Sequence, residues 1–334
     1  MSWEDNSEKI PDDEIFRHLR FKLNKAGFGT VKELVMRGPV AISQATGIDF
    51  KVCEDIYKRA SAMSREKGRF FATAADIHYH KSKNGNPKGI STGCKGIDDL
   101  FGGNGIEFGG VTQIYGEPGT GKTQLCHNLC GTFPSHSEAI FIDTEDTFQT
   151  ERIKSIAKGR NLDYAQILDN IKVFQPQDSR DQEQSIINAC QIISLNPSIK
   201  LLIVDSMMSF YKDDYPGLKY LAQRHQRIAK YAYRLRRTAR QYNVAIVITN
   251  QIRTNPDRYE SQSVTPIGGN ALTYTCKHRI RFKRLLSNRF IGELDISYCY
   301  PYKQTHFTIN EKGIADIEDF EDNGGVMPSC NDID

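Results

Sequence analysis

Gly116, Glu117, Pro118, Gly119, Thr120, Gly121, Lys122 and Thr123 are consecutive and match the spacing G-x-x-x-x-G-K-[ST]. The chemistry this spacing suits is the cradling of a phosphate chain. Glycines leave room for backbone amides to surround a β-phosphate, and a helix starting there adds its positive end. Lys122 would set a point charge on the β- and γ-phosphates, and the Thr123 hydroxyl would reach Mg2+. Leu201-Leu-Ile-Val-Asp205 is four apolar residues closed by an acid. Beside a phosphate loop such an acid is placed to hold Mg2+ through water; alone, it could be only a helix N-cap. Ala139-Ile-Phe-Ile-Asp-Thr-Glu145 also ends in acids, and a carboxylate there could take the proton of a water attacking the γ-phosphate. These are the parts of an ATPase. Hydride or acyl chemistry has no comparable support.

The elements that must position these residues read as alternating strands and helices from Ile90 onward. Short β-rich apolar runs occur at 111–115, 139–142, 171–174, 201–204 and 244–248, with helical stretches between them. That pattern predicts an α/β fold with a mostly parallel central sheet. Runs at 278–282, 293–298 and 305–309 predict an added antiparallel edge. No internal repeat is present.

Residues 15 to about 65 read as a small helical unit. Ile15, Leu19, Leu23 and Ala26 recur at helix spacing and Gly27 follows as a stop. Thr30–Met36, a Gly-Pro break at 38–39 and Ile42–Ala45 precede the turn Thr46-Gly47-Ile48-Asp49 and a further helix. A Gly-Ile turn between short helices resembles the hairpin of helix–hairpin–helix modules, which grip a phosphate; Asp49 could equally be the N-cap of the next helix. The predicted organisation is therefore 1–64 as this module, 65–89 as a linker, 90–322 as the ATPase core and 323–334 as a disordered tail.

The net charge of +3, from 44 Lys+Arg against 41 Asp+Glu, hides a segregation. Glu4–Glu14 holds six acids and one lysine, and Glu311–Asp334 holds eight acids and one lysine. Tyr215–Pro256 has no acid and nine Lys/Arg; Ser261–Gly292 has no acid and six. Acidic ends around a basic middle favour a polyanion-binding surface. No apolar run reaches 18 residues, which excludes a membrane-spanning helix from the expectations, and the acidic start is unlike a secretory signal. Eight cysteines without C-x-x-C pairs or zinc spacing read as reduced thiols of an intracellular protein.

The motif set resembles a known family. Ile90-Ser-Thr-Gly, Gly116–Thr123 with Gln124, Phe141-Ile-Asp-Thr-Glu145, Leu201–Ser206, Thr249-Asn-Gln251 and Pro266-Ile-Gly-Gly-Asn270 occur in the order found in RecA-superfamily strand-exchange recombinases of the RadA branch of archaea and eukaryotes. The resemblance runs from about residue 15 to 319 and implies a RecA-like P-loop ATPase core behind a small all-α helix–hairpin–helix domain. It implies Glu145 as general base, Gln251 as sensor of the γ-phosphate and Arg152 stacked on the adenine of ATP. It implies that Phe71 and Ala74, the F-x-x-A of the linker, plug into a neighbouring subunit to build a helical filament or a ring. A first DNA-binding loop would span 213–223 with Lys219, followed by Arg224, Arg227, Lys230, Arg234 and Arg237 on one helical face; a second would span 252–265 with Arg253, Arg258 and Tyr259. The implied partners are single- and double-stranded DNA, copies of the same chain, and a related recombinase or mediator. The implied location is the nucleus in a eukaryote, or the cytoplasm and nucleoid in an archaeon.

Several family positions differ. Phe148-Gln-Thr-Glu-Arg152 replaces Phe-Arg-Pro-Glu-Arg, and Gly217-Leu-Lys219 replaces Gly-Arg-Gly. Tyr274 stands at a relaying His, and Ile296-Ser-Tyr298 at the Asp-Ser-Pro that caps ATP across the subunit interface. Phe174 and Pro176 stand where small Ala residues usually receive the neighbour's Phe, and a short insert before Ala139 is absent. The departures fall on sensing in trans and on the interface. Two readings follow: an ATP-dependent recombinase acting as a filament on single-stranded DNA, or a non-catalytic paralogue that binds ATP, DNA and a partner recombinase.

Overall fold

The computed structural model describes residues 14–66, 88–133, 137–254, 264–268, 272–285 and 288–317. The chain divides into two compact units, 1–86 and 87–334. Phe71, Ala74, Arg258, Tyr259 and the tail from 318 lie outside the described residues.

In the first unit, helices α1 (Glu14–Lys25), α2 (Val31–Thr46) and α3 (Phe50–Glu66) close on Phe16, Leu23, Phe28, Leu34, Ile42, Ile48 and Ile56. Thr30 and Glu33 form a reciprocal capping box at the start of α2, and Gly38 and Pro39 break its path. Gly47 ends α2 with φ 67°, which its missing Cβ allows. The Asp49 carboxylate accepts from the Lys51 amide at 2.9 Å, so in this turn Asp49 caps α3.

In the second unit, β1 (Gly89–Ile90) pairs with β2 (Ile106–Glu107) beside α4 (Lys95–Leu100). The elements β3 (Val111–Gly116), α5 (Lys122–Gly131), β4 (Glu138–Asp143), α6 (Thr150–Gly159), α7 (Tyr164–Asp169), β5 (Ile171–Phe174), α8 (Ser179–Leu195) and β6 (Ile199–Asp205) follow. Then come α9 (Ser209–Asp214), α10 (Leu221–Tyr242), β7 (Ala245–Thr254), β8 (Val264–Pro266), β9 (His278–Arg284), β10 (Arg289–Ser297), β11 (Lys303–Asn310) and β12 (Gly313–Asp316). The sheet order is β12-β11-β10-β9-β3-β7-β6-β4-β5, with β8 paired to β7. It is parallel from β9 to β5 and antiparallel from β9 to β12, the expected α/β class with an antiparallel extension.

The apolar runs are continuous because each central strand is covered on both faces. Alternate residues separate cleanly. Phe141, Ile203 and Val247 pack with α4, α5 and α6, while Ile142, Val204 and Ile248 pack with α8 and α10. Two elements exceed expectation. The strand predicted at 244–248 continues to Thr254, because β3 pairs with it as far as Gln251 and β8 pairs with 252–254. β12 had no run long enough to announce it; Phe307–Asn310 pairs with it across a tight turn. Among the described residues no helix is long and apolar enough to cross a membrane.

Candidate functional site

The phosphate loop leaves β3 at the centre of the sheet and enters α5. Gly119 has φ 75° and Gly121 has φ 94°, values that side-chain-bearing residues rarely adopt. A Cβ on Gly116 would press on the Phe282 carbonyl and stand 2.9 Å from Thr120 Oγ1, so the loop has room only for glycine there. Thr120 Oγ1 donates to the Glu117 carbonyl at 2.8 Å and pins the turn. Lys122 Nζ donates to the carbonyls of Gly116 and Glu117 at 3.0 and 2.7 Å, which folds the ammonium over the cradle. Burial lowers its pKa, against the opposing pull of Asp205 and Glu145.

Asp143 ends β4 and Glu145 lies two residues beyond it, and the two have different tasks. Asp143 is buried and collects the amides of Thr147 and Phe148 at 3.1 and 2.9 Å, shaping the loop after β4. Glu145 faces the cradle, where its Oε1 accepts from Ser206 Oγ at 2.7 Å and from Gln251 Nε2 at 3.4 Å. Ser206 follows Asp205 across a cis peptide and is fixed by Thr144, whose hydroxyl donates to its carbonyl at 2.8 Å. Gln251 stands level with Gly116 on the adjacent strand. Lys212 Nζ on α9 donates to Gln251 Oε1 at 2.8 Å. Neither Ser206 nor Lys212 was legible as a partner of these groups from spacing.

Asp205 is buried, and burial raises its pKa despite the Thr249 and Thr123 hydroxyls. Its Oδ1 accepts from Thr249, and its Oδ2 is buried with no hydrogen-bond partner. An acceptor without a donor, close to a threonine at the helix start, suits Mg2+ shared with substrate phosphates. No group of three or more His, Cys, Asp or Glu able to hold a metal occurs among the described residues, and a site of this kind needs none.

A cavity of about 640 Å³ opens beside the loop, lined by Gly119, Gly121, Lys122, Thr123, Gln124 and Arg152, and by Arg284, Asn288, Phe290, Ile309, Asn310 and Glu311. This volume fits a nucleotide. Arg152 is fixed by Gln124 Oε1 at 2.7 Å and by the Asn310 carbonyl at 2.8 Å. The second half of the lining comes from β9, β10 and β11 and the turns beside them. No motif marked those residues, because their proximity to the loop arises only when β9 pairs with β3.

The basic segment is divided. Lys219 is exposed on a 3-10 turn at Leu218–Tyr220, and Arg224 donates to the Tyr215 carbonyl at 3.3 Å. Arg227, expected on the DNA face, is partly exposed and also engaged within the chain. Its NH1 donates to both oxygens of Glu183 at 3.0 Å, and its guanidinium lies over the Tyr215 ring. Glu183 also takes the hydroxyls of Tyr211 and Tyr231, so Arg227 neutralises a buried acid and braces α10 on α8. The expected loop at 213–223 is mostly helix, with a bend at Gly217 of φ 74°. Arg253 lies on β7, at the foot of the second expected loop.

A phosphate loop on the central strand, a metal-ready acid on the next but one, and a general-base candidate on the third define a RecA-like P-loop ATPase core. The Rad51 family model matches residues 88–317. "DNA repair and recombination protein RadA" of Cenarchaeum symbiosum (strain A) is 33% identical over 308 residues, covering 89% of this chain and 76% of that relative. The chain belongs to the Rad51 family, among the RecA-superfamily recombinases.

Proposed function

We propose that this chain is an ATP-dependent recombinase of DNA repair that assembles on single-stranded DNA and pairs it with homologous duplex. The observation that carries this reading is the phosphate loop beside a nucleotide-sized cavity, with Lys122 in its lining and in the field of Glu145 and Asp205, Gln251 bonded to Glu145, and one Asp205 oxygen buried without a partner. Lys122 neutralises phosphate charge, and Glu145 takes a proton from the attacking water while Gln251 and Ser206 hold its carboxylate in line. Mg2+ on Thr123 and Asp205 would draw charge from the β- and γ-oxygens. Arg152 and Gln124 offer a platform for the base. Lys219, Arg224, Arg253, Arg258 and Tyr259 supply the DNA path, with charge on phosphates and Tyr259 among bases. Phe71 and Ala74 join neighbouring subunits. The 1–64, 65–89 and 90–322 divisions follow from this reading. Electron microscopy of the protein on single-stranded DNA with a non-hydrolysable ATP analogue tests it: filaments are expected, and none forming would overturn it.

A second reading is a paralogue that binds nucleotide and assists another recombinase. It is favoured by the end of β10. Asp295 is the extra residue of a bulge, and its carboxylate is turned inward to Tyr115 and Arg279, while exposed Tyr298 stands where the family's capping segment ends. Strand invasion of a supercoiled duplex by the pure protein separates the readings, since only the first predicts it.

A further inference from the structure

The cation on α9 joins the two segments proposed to meet DNA. Lys212 stands one residue before the first expected DNA loop, and Gln251 stands on β7 directly before the hairpin to β8. Their side chains meet at 2.8 Å, and the far side of the same carboxamide meets Glu145 at 3.4 Å. Only one orientation of the amide serves both neighbours. Its oxygen must face the ammonium and its NH2 the carboxylate; the reverse would set donor against donor and acceptor against acceptor. Lys212 therefore selects which end of Gln251 points at Glu145. Among the described residues Lys212 has no carboxylate partner within ion-pair distance, so its charge is not consumed by the fold.

We propose that Lys212 is the positioning residue that couples DNA phosphate to ATP. Without DNA, Lys212 holds the Gln251 oxygen and thereby presents the Gln251 amide to Glu145. A DNA phosphate arriving at the start of the first loop competes for the ammonium and frees Gln251 to turn its amide toward the γ-phosphate. The same exchange runs backward: a γ-phosphate that recruits the Gln251 amide releases Lys212 to DNA. Linkage requires the two effects to be equal in binding free energy. This inference rests on the recombinase reading above.

The test uses the full chain and a labelled oligo-dT of about 60 nucleotides, with DNA affinity measured with and without a non-hydrolysable ATP analogue. In the wild type the analogue should tighten DNA binding by about 5- to 150-fold, the usual range of such coupling. Lys212→Met should bring that ratio close to one while a fluorescent ATP analogue still binds, and Lys212→Arg should restore most of it. Gln251→Ala should also abolish the ratio, and the double variant should be no worse than either single one, because both act through one contact. A Lys212→Met chain that binds DNA more weakly by the same factor in both conditions would make Lys212 a simple phosphate contact and overturn the proposal. A wild-type chain that does not bind the oligonucleotide at all would overturn the recombinase reading, and the coupling with it. A wild-type chain that binds it with a ratio of one overturns the coupling alone.

Discussion

At the carboxyl ends of β3, β4 and β6, each reactive side chain is held in place by something within the same chain. At the end of β10, the acid is held away from any such use. Glu145 is fixed by Ser206, and Lys122, which lines the cavity, by two loop carbonyls. Asp295, displaced by one residue through the bulge, is locked between Tyr115 and Arg279, whose guanidinium also lies over the Tyr115 ring. The first region draws all its bracing contacts from one chain. The second is where a neighbour's nucleotide would be capped, and it offers an isoleucine and a tyrosine. On the proposed function, changes in the first region should act on ATP and changes in the second on assembly.

The largest effect expected is at Glu145. Glu145→Gln keeps the hydrogen-bonding shape but cannot take a proton, so steady-state hydrolysis should fall by about 10²- to 10⁴-fold with ATP affinity retained. Residual turnover within tenfold of wild type would move the base elsewhere. Next is the fit of the nucleotide region with pH. Burial lowers the His127 pKa from 6.5 to about 4, and the neutral ring accepts the Gln149 amide at 3.0 Å at the start of α6. Between those values the unfolded chain binds more protons than the folded one, so stability falls as pH drops from 6.5 toward 4. The span is worth roughly 3 kcal/mol when complete. His127→Gln, which cannot charge, should lose less stability over this window in urea titrations; parallel curves would exclude the His127 account.

Lys122→Ala should weaken nucleotide binding by about 10- to 100-fold, the loss of a charged hydrogen-bonding partner, and unchanged affinity would contradict the cradle. The smallest effect is expected at the other region. Ile296→Asp adds an acid beside the occupied Asp295 and should change ATP-dependent self-association by less than about tenfold, since a half-exposed charge pair is weak. Light scattering that shows a much larger gain would mean the missing acid alone limits assembly.

Much of the nucleotide site was legible because its parts are contiguous or sit at strand ends. The loop from Gly116 to Thr123 carries its own geometry, and apolar runs closed by Asp205 or Glu145 announce where strands stop. Arg227 shows what this reasoning leaves out. Its spacing places it on the same helical stripe as Arg224 and Lys230, but spacing cannot report that Glu183, 44 residues earlier, lies buried against it. Arg284 and Asn288 escaped for the same reason. They line the cavity through sheet pairing, not through any local pattern.

The sequence by itself determined the phosphate cradle, the order of strands and helices, and the segregation of charge, because these depend on neighbours along the chain and on periods of two and 3.6 residues. Only the tertiary structure decided which carboxylate meets Ser206 and Gln251, which arginine pairs with a buried acid, and that Lys212 meets Gln251 across 39 residues of chain. Such contacts depend on which strands lie side by side. That order is set by packing both faces of the sheet at once, and no short window of sequence contains it.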